Sequence, residues 1–377
     1  MVRPIRRIVA GNDDTGKAVV LSDAASPDVI TDPARPGFAS TRLWATDRSP
    51  ARVKGIRETL HGPQTLAPPA GGTQCRYLEL PPERGYLGTT GMADVRTWFE
   101  RIGSPEASTA KAGSPHPYMQ RTATLDLCYV LEGEVVLVLD TAEVVLKQGD
   151  VAILNGANHV WSNRADANAI VILSQHSGVA EMASPPPASP HGALPPPPPD
   201  VREKFRRVVA GQDAQGRSCI IANGDAPNIF RRPTGTWFYE VWTVDDMPAP
   251  LLGNLDRGGA GRSIMHSPPA AGANWRISFS PADVVPVHGT PPADARAAAM
   301  DTGGGTERRP GGSGMHRTPS VDYAICLQGD RKLVLEDSEV VMNKGDVVIQ
   351  LGNWHTWAKA SDGPNMMSFV MIGGEFG

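Results

Sequence analysis

Several features that would narrow the function of this 377-residue chain are scarce or missing. It has only four cysteines, and none of them forms a CxxC pair, so a structural zinc knuckle is excluded and free thiols in a reducing compartment are expected. No window approaches the roughly 20 apolar residues of a membrane-spanning helix, and the N-terminal segment lacks the apolar stretch of a signal peptide. We therefore expect a cytoplasmic protein that has no membrane partner.

The chain also has little net charge. Its 36 Lys and Arg residues nearly balance 40 Asp and Glu residues, for a net charge of −4, which provides no extended basic surface. Helix-turn-helix and Cys/His finger spacings are missing as well, so nucleic acid is not expected as a partner. Hydrophobic residues make up 40% of the chain, and a chain of this length can form two separate cores.

What the sequence does contain is an internal duplication. The segment "IRRIVAGNDDTGKAVV" from Ile5 matches "FRRVVAGQDAQGRSCI" from Phe205. Next, "RLWATDRSP" aligns with "EVWTVDDMP", and "PPAGGTQCRYLELPP" aligns with "PPAAGANWRISFSPA", which places Arg76 on Arg276. Finally, "GDVAILNGANHVW" at 149–161 matches "GDVVIQLGNWHTW" at 345–357. The chain is therefore expected to consist of two homologous copies.

A proline-rich stretch, "SPPPASPHGALPPPPPD", separates the two copies. Such a tract cannot join a central strand or a helix interior, and it favours extended polyproline II, so it predicts a semi-rigid surface spacer. The predicted organisation is an N-terminal domain over residues 1–183, a linker over 184–200 and a C-terminal domain over 201–377.

The second half of each copy is typical of β-structure. The segment "EVVLVLDTAEVVLKQGDVAIL" predicts three short strands separated by turns, and "RKLVLEDSEVVMNKGDVVIQL" repeats the pattern. Helical patterns are limited to residues 92–102 and 292–300, and residues 301–314 form a Gly-rich loop. Many short strands with Gly and Asp turns indicate an all-β sandwich or small barrel.

A row of alternating polar residues precedes the predicted hairpin of each copy. Alternate residues of a strand share one face, so these side chains lie together, and the apolar residues between them lie on the opposite face. We expect the polar face to line a cavity that suits a metal or a polar ligand. The rows are His316, Thr318, Ser320 and Asp322 in the second copy, and Gln120, Thr122, Thr124 and Asp126 in the first.

The segments "HRTPSVDYAICLQGD" and "KGDVVIQLGNWHTW" resemble the two signature motifs of the cupin superfamily, and the two copies resemble a bicupin. The resemblance implies an all-β fold of two double-stranded β-helix (jelly-roll) barrels with a few short helices. In the family, three His and one Glu hold a metal ion. By spacing, these ligands fall on His316, Thr318, Asp322 and His355, so that Thr318 replaces a histidine and Asp322 replaces the glutamate.

The C-terminal copy is the candidate active site. Here the resemblance implies that His316, Asp322 and His355 hold one divalent metal, with Fe²⁺ favoured over Mn²⁺, Zn²⁺ and Ni²⁺. The alternative is a metal-free polar cavity in which His355 hydrogen-bonds Asp322. The residues expected to contact the small-molecule substrate are Trp357, Arg276, Thr318 and Ser320. For Trp357 a core role, and for Arg276 a structural pairing with a nearby carboxylate, remain open.

The N-terminal copy is expected to be a degenerate site with a structural role. Its equivalent positions are Gln120, Asp126, His159 and Trp161, which leave a single histidine as a ligand. His159 is therefore interpreted as a buried, hydrogen-bonded residue. His176, at the end of a predicted strand, is the further histidine that could reach this cavity.

Three classes of function remain open. By resemblance to ring-cleaving and other bicupin dioxygenases, the first is a metal-dependent oxygenase acting on a small organic acid or phenolic compound. The second is a metal-free or Zn-dependent isomerase, dehydratase or decarboxylase in which His355 and Asp322 act as base and acid. The third is a non-catalytic small-molecule-binding protein. Both a monomer and a homodimer are compatible with the sequence.

Overall fold

The protein is described by a computed structural model over residues 2–180, 204–232, 235–251, 253–259, 266–282, 305–310 and 314–376. The predicted linker, 184–200, and the predicted helix, 292–300, lie outside the described residues.

The N-terminal copy contains twelve strands and one α-helix, α1. Two short 3-10 helices, Glu83–Gly85 and Pro105–Ala107, flank the α-helix. The elements are β1 Arg6–Asn12, β2 Ala18–Ala25, β3 Val29–Thr31, β4 Ala39–Thr46, β5 Ala51–Arg52, β6 Thr73–Leu80, α1 Met92–Arg101, β7 Thr124–Glu132, β8 Glu134–Leu139, β9 Glu143–Lys147, β10 Val151–Asn155, β11 His159–Ser162 and β12 Ala169–Ala180.

The C-terminal copy repeats these twelve strands in the same order and adds two short ones, β19 and β20. Its described strands are β13 Arg206–Gln212, β14 Ser218–Asp225, β15 Ile229–Arg231, β16 Trp237–Val244, β17 Ala249–Leu251, β18 Ala273–Ser280, β19 Glu307–Arg308, β20 His316–Arg317, β21 Ser320–Gln328, β22 Asp330–Val334, β23 Glu339–Asn343, β24 Val347–Leu351, β25 Thr356–Lys359 and β26 Asn365–Glu375. The all-β fold class is confirmed.

The repeated Gly-Asp pair forms a turn in each copy. Gly149 and Gly345 adopt φ angles of +97° and +92°, a left-handed conformation that glycine reaches without a steric penalty. The following aspartates close the turns, because Asp150 accepts the Lys147 N–H at 3.0 Å and Asp346 accepts the Asn343 N–H at 3.0 Å. The predicted strand order around these turns is confirmed.

Helix α1 confirms the helix predicted over residues 92–102. The Asp94 carboxylate accepts the N–H of Gly91 at 2.8 Å, which satisfies one of the free donors at the helix N-terminus. Val95, Trp98 and Phe99 are buried against the N-terminal barrel. The predicted Gly-rich loop at 301–314 differs from the structure in part, since its residues Glu307–Arg308 pair with His316–Arg317.

The two copies exchange their first hairpins. One large sheet runs β14-β13-β10-β7-β12-β6-β4-β3, and the other runs β15-β16-β18-β26-β21-β24-β1-β2. Thus β1 pairs in parallel with β24, Arg7 opposite Val347, while β13 pairs in parallel with β10, Val151 opposite Arg207. Each copy therefore completes the large sheet of the other, and the sheets cross the boundaries predicted from the duplication.

A three-stranded sheet faces each large sheet and closes a jelly roll. The sheet β11-β8-β9 serves the N-terminal barrel, and β23-β22-β25 serves the C-terminal barrel. The two large sheets share one apolar cluster, which contains residues of both copies, and each barrel has its own interior cluster. The exchange is visible in the interiors, because Ile8 lies in the C-terminal cluster and Val208 in the N-terminal one.

The predicted division of the two faces of the polar strand is confirmed. Val321, Tyr323 and Ile325 lie in the cluster between the large sheets, whereas Ala324, on the same side as Asp322, lies in the barrel interior. All four cysteines are free, as expected. No helix in the described part of the chain is long and apolar enough to cross a bilayer.

Candidate functional site

Two histidines of the C-terminal barrel are brought together by backbone pairing. His316, in β20, and His355, just before β25, form an antiparallel bridge. The His316 N–H donates to the His355 carbonyl at 2.9 Å, and the His355 N–H donates back at 3.0 Å. Their ring centroids are consequently 4.4 Å apart. The structure thus joins two of the three predicted metal ligands.

Both imidazoles are held in the same way by main-chain carbonyls. The Nδ1 of His316 lies 3.1 Å from the Gly314 carbonyl oxygen, and the Nδ1 of His355 lies 3.0 Å from that of Asn353. A histidine that donates from Nδ1 presents the lone pair of Nε2. Burial lowers the pKa of His316 to about 4 and that of His355 to about 3, so both rings are neutral at neutral pH.

A third histidine, His266, completes a cluster that the sequence interpretation missed. Its ring centroid lies 5.7 Å from that of His316, and its buried Nδ1 has no hydrogen-bond partner among the described residues. Burial lowers its pKa well below the ordinary value, and the positive charges of neighbouring groups add to this shift. The duplication could have indicated this residue. Alignment of "PPAAG" with "PPAGG" places His266 on Leu66, and Leu66 lines the cavity of the other barrel.

Asp322 lies on the interior face of β21 but is not joined to the histidines. It pairs across the sheet with Gln350 and Met371, and within the described residues no hydrogen bond or ion pair connects it to His316 or His355. Burial raises its pKa to about 7, against the opposing effect of the Ser320 hydroxyl. In the described part of the chain, no three His, Cys, Asp or Glu side chains converge as a metal site.

The predicted substrate-contacting residues differ in burial and in the residues that they contact. Thr318 is buried, and its hydroxyl lies 3.3 Å from that of Thr306. Trp357 is half-buried and packs edge-on against His355, with centroids 6.0 Å apart, and against Phe369 at 5.5 Å. Trp357 therefore lies beside the histidine pair, and its contact with a substrate remains a prediction.

Arg276 forms a buried ion pair inside the protein. Its Nη2 lies 2.8 Å from Glu240 Oε2, the side chains of both residues are almost completely buried, and Asn274 donates to the other carboxylate oxygen at 3.0 Å. This is the structural pairing left open by the sequence. A role for Arg276 in holding substrate remains a prediction.

Two other arginines add positive charge near the histidine cluster. Arg232 and Arg308 both act electrostatically on His266 and His316. Burial, followed by the charges of Arg308 and Arg276, lowers the pKa of Arg232, and no carboxylate among the described residues pairs with it. The site therefore favours a negatively charged ligand.

The N-terminal barrel keeps the same backbone frame with different side chains. Gln120 and His159 form the equivalent bridge, and His159 Nδ1 lies 2.9 Å from the Ala157 carbonyl oxygen. Gln175 donates to Asp126 at 3.2 Å. Burial raises the pKa of Asp126 and lowers that of His159, which favours a neutral pair. His159 is thus buried and hydrogen-bonded, as interpreted from the sequence.

A buried arginine of this barrel has no carboxylate partner among the described residues. Arg76 donates to Ser40 Oγ at 3.2 Å and to the Thr65 carbonyl, and its Nε has no partner among the described residues. The residue opposite it on β4 is Arg42. Burial lowers the pKa of Arg76 to about 10, and the charge of Arg42 adds to the effect.

Arg76 lines a small, open-mouthed cavity of about 40 Å³. Gln120 and Trp161 of the predicted pseudo-site also line it, together with Arg35 and aromatic and aliphatic side chains. The Trp161 Nε1 and the Arg35 Nη2 are buried without partners among the described residues. The N-terminal barrel therefore keeps a small cavity beside its predicted pseudo-site, and its structural role remains a prediction.

His176 does not contribute to this cavity. On β12 it lies on the same face as Ile172, which packs between the two large sheets, whereas Leu173 on the other face packs inside the barrel. His176, the further histidine that the sequence left open for this cavity, therefore does not reach it, because the alternation of the strand turns its side chain to the opposite side.

No protein-family model matches the chain. A phomopsin biosynthesis cluster protein C′ of Diaporthe leptostromiformis is 31% identical over 147 residues, which are 36% of this chain and 69% of that protein. A cupin-domain-containing oxidoreductase of Hypocrea virens is 36% identical over 64 residues, or 16% of this chain and 33% of the relative.

Among solved structures, a cupin 2 conserved barrel domain protein from Leptotrichia buccalis matches with a TM-score of 0.38 and 10% sequence identity, covering 91% of this chain and 92% of that one. The two signature segments, the duplicated jelly rolls and the partial similarity to a cupin-domain oxidoreductase agree with one another. The chain belongs to the cupin superfamily.

Proposed function

We propose that the protein is an oxidoreductase whose C-terminal barrel uses a divalent metal and O₂ to oxidise a small organic acid. The observation that carries the proposal is the pair of neutral imidazoles, His316 and His355, held 4.4 Å apart by reciprocal backbone hydrogen bonds. The partial similarity to a cupin-domain oxidoreductase supports the reaction class. In the dioxygenase form of this reaction the substrate is oxidised, and both atoms of O₂, which is reduced, enter the product.

The donor chemistry of the cluster fits a metal ion. Metal-bound histidines usually donate their other ring N–H to a carbonyl or carboxylate, and His316 and His355 both have that contact with a backbone carbonyl oxygen. Imidazoles that share one ion at about 2.1 Å have centroids about 5 Å apart, close to the 4.4 and 5.7 Å separations in the cluster. His266 lies beside His316 as a third neutral ring, but the three side chains do not converge as a metal site in the described part of the chain, so we propose His316 and His355 as the ligands.

A bound divalent metal would supply Lewis acidity and open coordination positions for substrate and O₂. The chain itself supplies the orientation. The positive charge of Arg232 and Arg308 near the cluster would attract a carboxylate. Trp357 shields the histidine pair from water on one side.

The competing acid–base chemistry of His355 and Asp322 has less support. The Nδ1 of His355 is occupied by the Asn353 carbonyl, and no hydrogen bond joins the two predicted partners in the described part of the chain. The pKa of about 7 for Asp322 nevertheless suits a carboxylic acid that exchanges a proton at neutral pH. This is the specific observation that keeps an isomerase or lyase as the second candidate.

Elemental analysis of the purified full chain, expressed with iron and manganese supplements, tests the proposal. We expect about one Fe or Mn per chain, lost in His316→Ala and His355→Ala and retained in His159→Ala, the matched variant of the other barrel. Oxygen consumption with a panel of hydroxybenzoates and 2-oxo acids then tests the substrate class. A chain that binds no metal under any expression condition would overturn the proposal, and stoichiometric zinc would favour the isomerase or lyase.

A further inference from the structure

We propose that the cavity of the N-terminal barrel is a second ligand site, which binds a small monocarboxylate with an apolar body. The geometry of Arg76, Trp161 and the surrounding apolar wall carries this inference. It does not depend on the chemistry proposed for the C-terminal barrel.

The first step is the charge of Arg76. Its side chain is fully buried, its two hydrogen-bonded partners are the neutral Ser40 hydroxyl and the Thr65 carbonyl, and Arg42 lies opposite it. A buried guanidinium without a paired anion is costly. A ligand carboxylate would compensate it and could accept two parallel hydrogen bonds from the guanidinium fork.

The carboxylates that already act on Arg76 do not replace such a ligand. Asp28 is bound to Arg42, with Nε and Oδ2 2.6 Å apart. Asp126 accepts from Gln175, and burial raises its pKa, which disfavours its charged form. Neither carboxylate hydrogen-bonds Arg76 among the described residues.

The second step is the set of donors that lack partners. Besides Arg76 Nε, the buried Trp161 Nε1 and Arg35 Nη2 have no acceptor among the described residues, and all three side chains line one cavity. Buried N–H groups are normally satisfied, so three such donors around one space indicate that an acceptor belongs there. The Gln120 side chain, also in the lining, can contact the same ligand.

The third step is the rest of the wall, which defines the body of the ligand. Leu66, Leu78 and Val160 line the cavity together with aromatic rings. One of these, Trp98, packs edge-on against Phe38, with ring centroids 4.9 Å apart. Apolar walls with a few placed polar groups are typical of small-molecule sites. Because the cavity is small, about 40 Å³, the ligand is a short carboxylate with an aliphatic body, and a sugar or a phosphate ester fits less well.

Calorimetric titration of the full chain with acetate, butyrate and benzoate, each compared with its neutral amide, tests the proposal. We expect at least one of the three acids to bind, with its amide weaker by about tenfold or more, because the amide lacks the charge that Arg76 requires. Arg76→Met should abolish the difference between acid and amide. Trp161→Phe, which keeps the ring and removes the N–H, should weaken the acid by about tenfold.

Matched variants keep the result interpretable. His316→Ala, in the other barrel, should leave this binding unchanged, which separates the second site from the proposed metal site. Circular dichroism identifies a variant that fails to fold, in which case Trp161→Phe alone decides the question. The proposal is overturned if none of the three acids binds to the wild-type chain, or if acid binding is the same in wild type and in both folded variants.

Discussion

Each copy contains the same twelve strands, but one duplicated arginine has an oppositely charged partner in one copy and a like-charged neighbour in the other. In the C-terminal barrel, Arg276 meets Glu240 on the neighbouring strand. In the N-terminal barrel, Arg76 meets Arg42 at the same position. In the C-terminal copy, which has the pair of histidines, the arginine is neutralised by a carboxylate. In the N-terminal copy, which has a single histidine on the equivalent bridge, the arginine faces a cavity. The difference teaches that a barrel without the family's ligand set can still hold the features of a binding site.

The histidine frames differ in a second way. His159 and His355 are held by the same backbone contact two residues upstream. Their bridge partners are Gln120 in one barrel and His316 in the other. This one difference in the bridge partner gives the C-terminal barrel a pair of imidazoles and the N-terminal barrel a single imidazole.

The largest expected effect on the free energy of unfolding comes from replacing each of the two duplicated arginines, one at a time, by methionine. Arg276→Met should lower the free energy of unfolding by about 3–5 kcal/mol, because it leaves the Glu240 carboxylate buried without that guanidinium. Arg76→Met loses hydrogen bonds to Ser40 and Thr65 but no ion pair, and should cost about 1–2 kcal/mol. Urea denaturation followed by circular dichroism measures both.

A double variant, Arg276→Met with Glu240→Leu, provides the control for that pair. It should recover much of the stability lost in Arg276→Met, since no uncompensated charge remains. Equal losses in the two single variants would contradict the contrast between the barrels.

A smaller effect on stability is expected from substitutions in the hairpins that the two copies exchange. Ile8→Ala, in β1, should cost about 2–4 kcal/mol and loosen the C-terminal barrel, in whose interior Ile8 is fully buried. Val208→Ala, at the matching position of β13, should loosen the N-terminal barrel, where Val208 packs. Hydrogen–deuterium exchange locates the loosened strands. If each variant loosens the barrel of its own copy, the exchange of hairpins does not occur.

The smallest effect is a pH dependence that one copy has and the other lacks. Burial lowers the pKa of His176 from 6.5 to about 3, and the matching position across the sheet in the C-terminal copy is Ile372. Between these values the unfolded chain binds more protons than the folded one, so stability falls as the pH falls through this range.

Replacing His176 by the residue of the other copy tests this. The His176→Ile variant should lose about 2 kcal/mol less stability than wild type between pH 7 and pH 5. Urea denaturation at both pH values measures the difference. Identical pH dependences would show that His176 titrates in the folded chain as it does in the unfolded one.

The sequence predicted the parts that rest on strand alternation and turn chemistry. Residues with period two gave the correct faces for Asp322 and Tyr323, and the Gly-Asp pairs marked the turns at Gly149 and Gly345. These features depend on near neighbours in the chain, so a single sequence contains them. The alignment of "RLWATDRSP" with "EVWTVDDMP" also placed Arg42 on Glu240. The consequence of this charge reversal is visible only in the structure, where these residues lie beside Arg76 and Arg276.

Other parts required the tertiary structure. His266 lies about 50 residues before His316 in the sequence, and nothing in its local pattern places the two rings 5.7 Å apart. The hydrogen bond between His355 and Asp322, an alternative that the sequence left open, is missing among the described residues. The Nδ1 of His355 contacts the Asn353 carbonyl, and the His355 backbone forms a bridge with His316. Long-range contacts of this kind depend on loop paths.

The sequence by itself determined that this chain is a duplicated all-β protein with a polar row inside each barrel, because period-two patterns and turn residues act locally. Only the tertiary structure decided which hairpin completes which sheet, since β1 and β13 have equivalent apolar faces and could pair with either copy. It also decided which arginine is neutralised and which faces a cavity. A buried charge is defined by what surrounds it, and those surroundings come from strands far apart in the chain.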